Sequence, residues 1–190
     1  MPLGGEWRTL NAVMIATTDL LRYGSLAARW FLAAVFIIAG ASKVAHPWVF
    51  VHTVEGYNML PSAISQPFGL ALPWLEILLG VYLLIGLFTR VAAAVTIALL
   101  GVFVVSLAVQ LARGHTGNCG CVVGIDNPII TAFVGGNNIG PWDLVRDVLL
   151  AALALLVYIT PRQLLAVDAL LAARREDLAL VDHASDVAEA

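Results

Sequence analysis

Four stretches of the chain stay apolar for the length of a membrane-crossing helix, at residues 25–45, 68–88, 91–112 and 142–160. A bilayer core about 30 Å thick needs about 20 mostly apolar residues in a helix. The first stretch contains WFLAAVFIIAG and the second LPWLEILLGVYLLIGLF. The third carries no charge, and the fourth closes on VLLAALALLVYI just before Pro161, a residue that ends helices. None alternates polar with apolar positions, and each is too long for a buried strand.

Shorter amphipathic segments flank them. Trp7, Leu10, Val13, Met14, Leu20 and Leu21 recur at helical spacing. Residues 1–24 are therefore expected to form a cytoplasmic helix lying on the membrane or packed on the bundle. No cleavable signal peptide is expected, because no small-residue site follows a short apolar core. In the tail, 162–190, Leu164, Leu165, Val167, Leu170 and Leu171 predict a short surface helix ahead of an acidic end. The segment WVFVHTVEGYNMLP, 48–61, is too short to cross and suits the interface, where Trp and Tyr concentrate. The expected fold is all-α: an integral membrane four-helix bundle over 25–161 with flanking interfacial helices.

Composition supports the membrane as solvent. Apolar residues make up 61%, charged residues 12%, and mean hydropathy is +0.91. Soluble domains carry about 25% charge, so a soluble monomeric enzyme is excluded. A disordered chain or a disulfide-stapled secreted domain is excluded as well. The net charge of -3 leaves no footprint for nucleic acid.

Lys and Arg favour cytoplasmic loops. Arg8, Arg22, Arg29, Arg90, Arg162, Arg174 and Arg175 fall on one side of a four-span topology; Lys43, Arg113 and Arg146 fall on the other. Both termini are expected in the cytoplasm of a multi-pass cell-membrane protein. The loops 46–67 and 113–141 then face outward, where disulfides persist.

Ionisable groups within spans are functional candidates. Glu76 lies eight residues into the second stretch, roughly 12 Å from its outer end. Lys43 ends the first stretch, and Asp143, Arg146 and Asp147 open the fourth. Three stripes carry them: Arg29, Ala33, Phe36, Gly40 and Lys43; Gly69, Pro73, Glu76 and Gly80; Asp143, Asp147, Leu150 and Ala154. Small residues on such seams let helices approach closely. Lys43, Glu76 and Asp147 are therefore expected to face the bundle interior, with Lys43 or Arg146 as partner of Glu76. Such pairs fix helix registry, move protons or bind a polar head group. For Lys43, snorkelling to the interface is a further reading.

The loop RGHTGNCGCVVGIDNPIITAFVGGNNIGPWD contains both cysteines, Cys119 and Cys121, flanking Gly120. Residues two apart reach disulfide distance if the chain bends, and glycine permits the bend. The small, strained ring tends to be reducible, as an exchange-active pair requires. A static disulfide, two idle thiols, or a metal site with His115 are the alternatives. The metal reading lacks a fourth ligand. His46, His52 and His183 read as interface or surface residues.

These residues resemble the DoxX-like membrane proteins, closest to the MauE-type branch. The resemblance rests on RWFLAAVFIIAGASK (29–43), YNML-P (57–61), LPWLEILLG (72–80), CGC (119–121) and GPWDLVRD (140–147). The family's C-G-C-F-G stands here as C-G-C-V-V-G. The resemblance implies a four-helix membrane bundle. MauE-type members are associated with maturing methylamine dehydrogenase, whose periplasmic subunit holds many disulfides. DoxX and DoxD relatives are linked to thiosulfate oxidation with quinone.

Two functions from different classes stand. In one, Cys119 and Cys121 are catalytic and exchange electrons with a thioredoxin-like or exported substrate protein. Quinone is then the expected cofactor, and Lys43, Glu76, Arg146 and Asp147 bind it or carry protons. In the other, the chain is a non-catalytic subunit anchoring a respiratory or photosynthetic membrane complex. A transporter lacks the paired broken helices it would need.

Overall fold

The computed structural model describes residues 6–59, 61–114, 120, 121, 123, 124, 127, 131, 133–135, 139–160, 167 and 174. Side chains are described from Leu20 onward, except that of Ser62. The helices are α1 (Glu6–Ala45), α2 (Pro47–Gly56), α3 (Ser62–Ile85), α4 (Thr89–Ala112) and α5 (Pro141–Ile159). Among the described residues there is no strand.

Among the described residues, three helical segments are long and apolar enough to cross a membrane: Leu20–Ala45, Ala63–Ile85 and Thr89–Ala112. The chain is an all-α membrane protein. The fourth expected stretch forms α5, whose first two turns carry Asp143, Arg146 and Asp147.

Two boundaries differ most from the sequence expectation. No break separates an N-terminal helix from the first span, because α1 runs unbroken from Glu6 to Ala45. The second span starts at Ser62 rather than at 68, with Pro67 and Pro73 inside the helix. The early turns of α3 are less apolar, and α2 packs on them at Gly69 through Val51. The expected tail helix lies mostly outside the described residues.

Lipid tails are as apolar as leucine, so helices in a membrane associate by close packing rather than by hydrophobic expulsion. The α1–α3 seam shows this. A methyl group on Gly40 would stand 2.7 Å from the Pro73 carbonyl oxygen and from Ile77. One on Gly80 would stand 2.7 Å from Ile37 and 3.0 Å from the Ala33 carbonyl oxygen. Both glycines let the backbones touch. Around the bundle, α3 packs on α1, α1 on α5 and α5 on α4, while α3 and α4 pack only lightly on each other. That seam is the loose side. At its far end α4 is tied to α5 by Arg90, whose guanidinium lies 5.7 Å from the Tyr158 ring.

The core holds Leu32, Ala33, Phe36, Leu72, Leu79, Leu83, Leu100, Leu150 and Val157. All three sequence stripes face inward, and Arg29, Lys43, Glu76, Asp143, Arg146 and Asp147 are buried with them.

Candidate functional site

The site lies where the end of α1, the middle of α3 and the start of α5 meet. Its first part is an ion pair. Lys43 Nζ donates to both Glu76 oxygens at 2.6 and 2.8 Å, and each side chain is 2% exposed. Of the two expected donors, Lys43 is the partner of Glu76. The ammonium also lies 5.0 Å from the Phe50 ring of α2 and 5.6 Å from the Phe103 ring of α4. Aromatic faces attract cations, more strongly when water is absent. The pair thus brings α1 and α3 together with α2 and α4 at one point. Because α3 begins at Ser62, Glu76 stands about 21 Å along it, deeper than the sequence suggests.

The second part is a guanidinium held by two carboxylates. Gly140 N–H donates to Asp143 Oδ2 at 3.0 Å, which caps α5. Asp143 Oδ1 accepts from Arg146 Nη1 at 2.8 Å. Asp147 Oδ1 accepts from Arg146 Nε at 3.0 Å and Nη2 at 2.7 Å. Fork-shaped contacts of this kind fix the guanidinium plane. Its Nη2 also points at Cys121 Sγ, 3.4 Å away. The two carboxylates differ. Both oxygens of Asp143 are engaged, whereas the buried Asp147 Oδ2 has no hydrogen-bond partner in the structure.

The loop reaches this point by close packing. Val123 N–H donates to Ser42 Oγ on α1 at 3.4 Å. Gly120 has φ +66°, and a Cβ there would meet Thr53 of α2 at 2.9 Å. Gly135 has φ +120°, and a Cβ there would meet Cys121 Cβ at 2.4 Å and Arg146 Nη1 at 2.5 Å. Only glycine fits either position. The far end of α2 is fixed by Gln110 Nε2 and Arg113 Nη1, which donate to the Tyr57 carbonyl oxygen at 2.9 and 3.2 Å. Arg113 is thus engaged elsewhere, and Arg146 is the cation beside Cys121.

Both parts line one cavity of about 380 Å³. Its polar wall comprises Lys43, Glu76, Cys121, Arg146 and Asp147, and its other lining is mostly aliphatic and aromatic. Ile64 and Phe68 of α3 and Val102 of α4 line it and are also exposed on the outer face of the bundle. The cavity therefore reaches the outside at the loose α3–α4 seam. A mostly apolar cavity with a few convergent polar groups is the usual form of a small-molecule site.

The structure thus gathers Lys43, Glu76, Arg146, Asp147 and Cys121 in one place. Cys119 and His115 lie outside the described residues, and so does the expected Cys119–Cys121 bridge. Sequence reasoning missed Asp143 as the second carboxylate of the clamp, though its spacing of three from Arg146 on a helix signals a contact. It also missed Phe50 and Phe103. Aromatic positions in apolar runs read as core, so no local signal marks them as cation neighbours.

A family model described as Methylamine utilisation protein MauE matches residues 21–160. The Methylamine utilization protein MauE of Paracoccus denitrificans is 35% identical over 134 residues, covering 69% of this chain and 66% of that protein. The protein of the same name from Methylophilus methylotrophus is 32% identical over 135 residues, covering 70% and 67%. That of Methylorubrum extorquens is 33% identical over 94 residues, covering 49% and 50%. The chain spans about two thirds of the length of the first two relatives and half of the third. No solved structure matches.

Proposed function

From the premise that this chain belongs to the MauE family, we propose that it is a membrane thiol–disulfide redox protein serving methylamine utilisation. Cys119 and Cys121 exchange electrons with a thioredoxin-like or exported substrate protein on the outer side, and a lipid-soluble quinone is the electron sink. Helix α5 is the fourth crossing, and both termini are cytoplasmic. The observation that carries the reading is the Arg146 guanidinium, 3.4 Å from Cys121 Sγ, at the wall of a largely apolar cavity. Thiolates, not thiols, attack disulfides, and a neighbouring cation favours the thiolate.

The exchange balances as follows. A partner dithiol loses two electrons and two protons and becomes a disulfide. The Cys119–Cys121 disulfide gains them and becomes a dithiol. A quinone bound in the cavity would supply a two-electron, two-proton acceptor for the reduced pair. The residues present fit such a molecule. The cavity is apolar, reaches the lipid-facing surface at the α3–α4 seam, and offers Lys43 and Arg146 as cations toward a carbonyl oxygen. Glu76 and Asp147 are the carboxylates that hold or pass protons there.

A second reading, a non-catalytic anchoring subunit, draws on the Lys43–Glu76 pair, which ties helices together whatever the cysteines do. Replacing both cysteines by serine separates the two. The redox reading predicts normal membrane levels of the variant and loss of partner oxidation, scored by the disulfide content of exported proteins. An unchanged disulfide content would favour the anchor.

A further inference from the structure

We propose that Cys121 is the leaving-group sulfur of the exchange, stabilised as a thiolate by Arg146, and that Asp147 Oδ2 takes up the accompanying proton. The inference rests on the redox reading and assigns roles within it. Two independent features carry it. One is the 3.4 Å contact from Arg146 Nη2 to Cys121 Sγ. The other is Asp147 Oδ2, a carboxylate oxygen in a side chain 4% exposed, on the cavity wall and without a hydrogen-bond partner among the described residues. A carboxylate accepts at two oxygens, and here one is filled by Arg146 while the other waits for a hydrogen.

Charge conservation links them. Arg146, Asp143 and Asp147 together carry one negative charge when both carboxylates are ionised. Adding a thiolate to so buried a cluster is costly unless another group is neutralised. Protonation of Asp147 does this, so the cluster keeps its net charge through the reaction. A partner thiolate attacks Cys119 Sγ, and the new S–S bond forms as the Cys119–Cys121 bond breaks. The electron pair of the broken bond goes to Cys121. The second partner thiol then resolves the mixed disulfide and releases Cys119. Of the two protons given up by the partner, one goes to Cys119 and one to Asp147 Oδ2. Among the described residues, the remaining charged or titratable groups facing this space are Lys43 of α1, Glu76 of α3 and Tyr57 beyond α2, and Lys43 and Glu76 already neutralise each other.

The test uses full-length Cys119→Ser in lipid nanodiscs, where Cys121 is the single thiol. The pH profile of its alkylation by iodoacetamide is measured with no partner present. The midpoint is expected roughly one to three pH units below the ordinary thiol value of about 8.5. Adding Arg146→Gln moves the midpoint up, because the cation is lost. Adding Asp147→Asn moves it further down, because a negative charge is lost. A merely structural role for either residue would not shift the same sulfur in opposite directions. A midpoint at the ordinary thiol value in Cys119→Ser alone overturns the inference even if neither double variant folds. Shifts of one sign in the two doubles also overturn it. Failure of the redox reading appears elsewhere, as a wild-type protein that does not oxidise a dithiol.

Discussion

Lys43 and Glu76 form the most enclosed ion pair in the described structure, and what their removal does depends on what is left behind. Glu76→Ala leaves the ammonium between Phe50 and Phe103 without the carboxylate it bonds. Breaking one side of a buried pair costs about 3–5 kcal/mol, more than the roughly 1–2 kcal/mol typical of a polar contact between membrane helices. This variant is expected to fall sharply in abundance on membrane immunoblots. Glu76→Gln, which keeps shape and an acceptor, is expected to fall less. Replacing both residues by methionine removes both charges at once, and such replacements are often close to neutral. Lys43→Met with Glu76→Met should therefore recover abundance but not dithiol oxidation; recovery of both would assign the pair a purely structural role. The inward direction of these residues was legible from their three- and four-residue spacing beside small residues. The pairing of Arg146 with Cys121 was not, because the loop's path depends on contacts of Gly120 and Gly135 with distant elements.

Between elements, tight and loose seams divide the work. At the tight α1–α3 seam, Gly40→Ala places a methyl group 2.7 Å from a backbone oxygen that cannot rotate away. Such overpacking costs about 1–3 kcal/mol, and the variant is expected to melt earlier in detergent, by differential scanning fluorimetry. At the loose α3–α4 seam, Ser106 lines the cavity on α4. Ser106→Trp is expected to fill the passage, slowing quinone reduction at least tenfold while leaving the Cys121 alkylation midpoint unchanged. Equal loss of both would place the tryptophan's effect on the fold. The apolar runs gave α4 and α5 to within two residues, since nothing interrupts them. They placed the start of α3 too late, because Ser62, Ser65, Gln66 and Pro67 interrupt the apolar run while the helix continues through them.

For the molecule as a whole, the proposed orientation, with the cysteine loop outside, rests on the uneven distribution of Arg and Lys. A membrane-impermeant maleimide is expected to label the reduced cysteines in intact cells; labelling only after lysis would reverse the topology. Class and family were readable because composition, span length and motif order all act at this scale. The proposed direction of electron flow was not, since a partner and an acceptor leave no local pattern in the chain. The central claim is that Cys119 and Cys121 form a working redox couple between the outside and the membrane. Its most direct test is differential alkylation and mass spectrometry of the loop peptide in native membranes, first with oxidised quinone in excess and then, after quinone is removed, with a dithiol in excess. The account predicts a Cys119–Cys121 disulfide in the first condition and two free thiols in the second. A pair that stays in one state under both would contradict it.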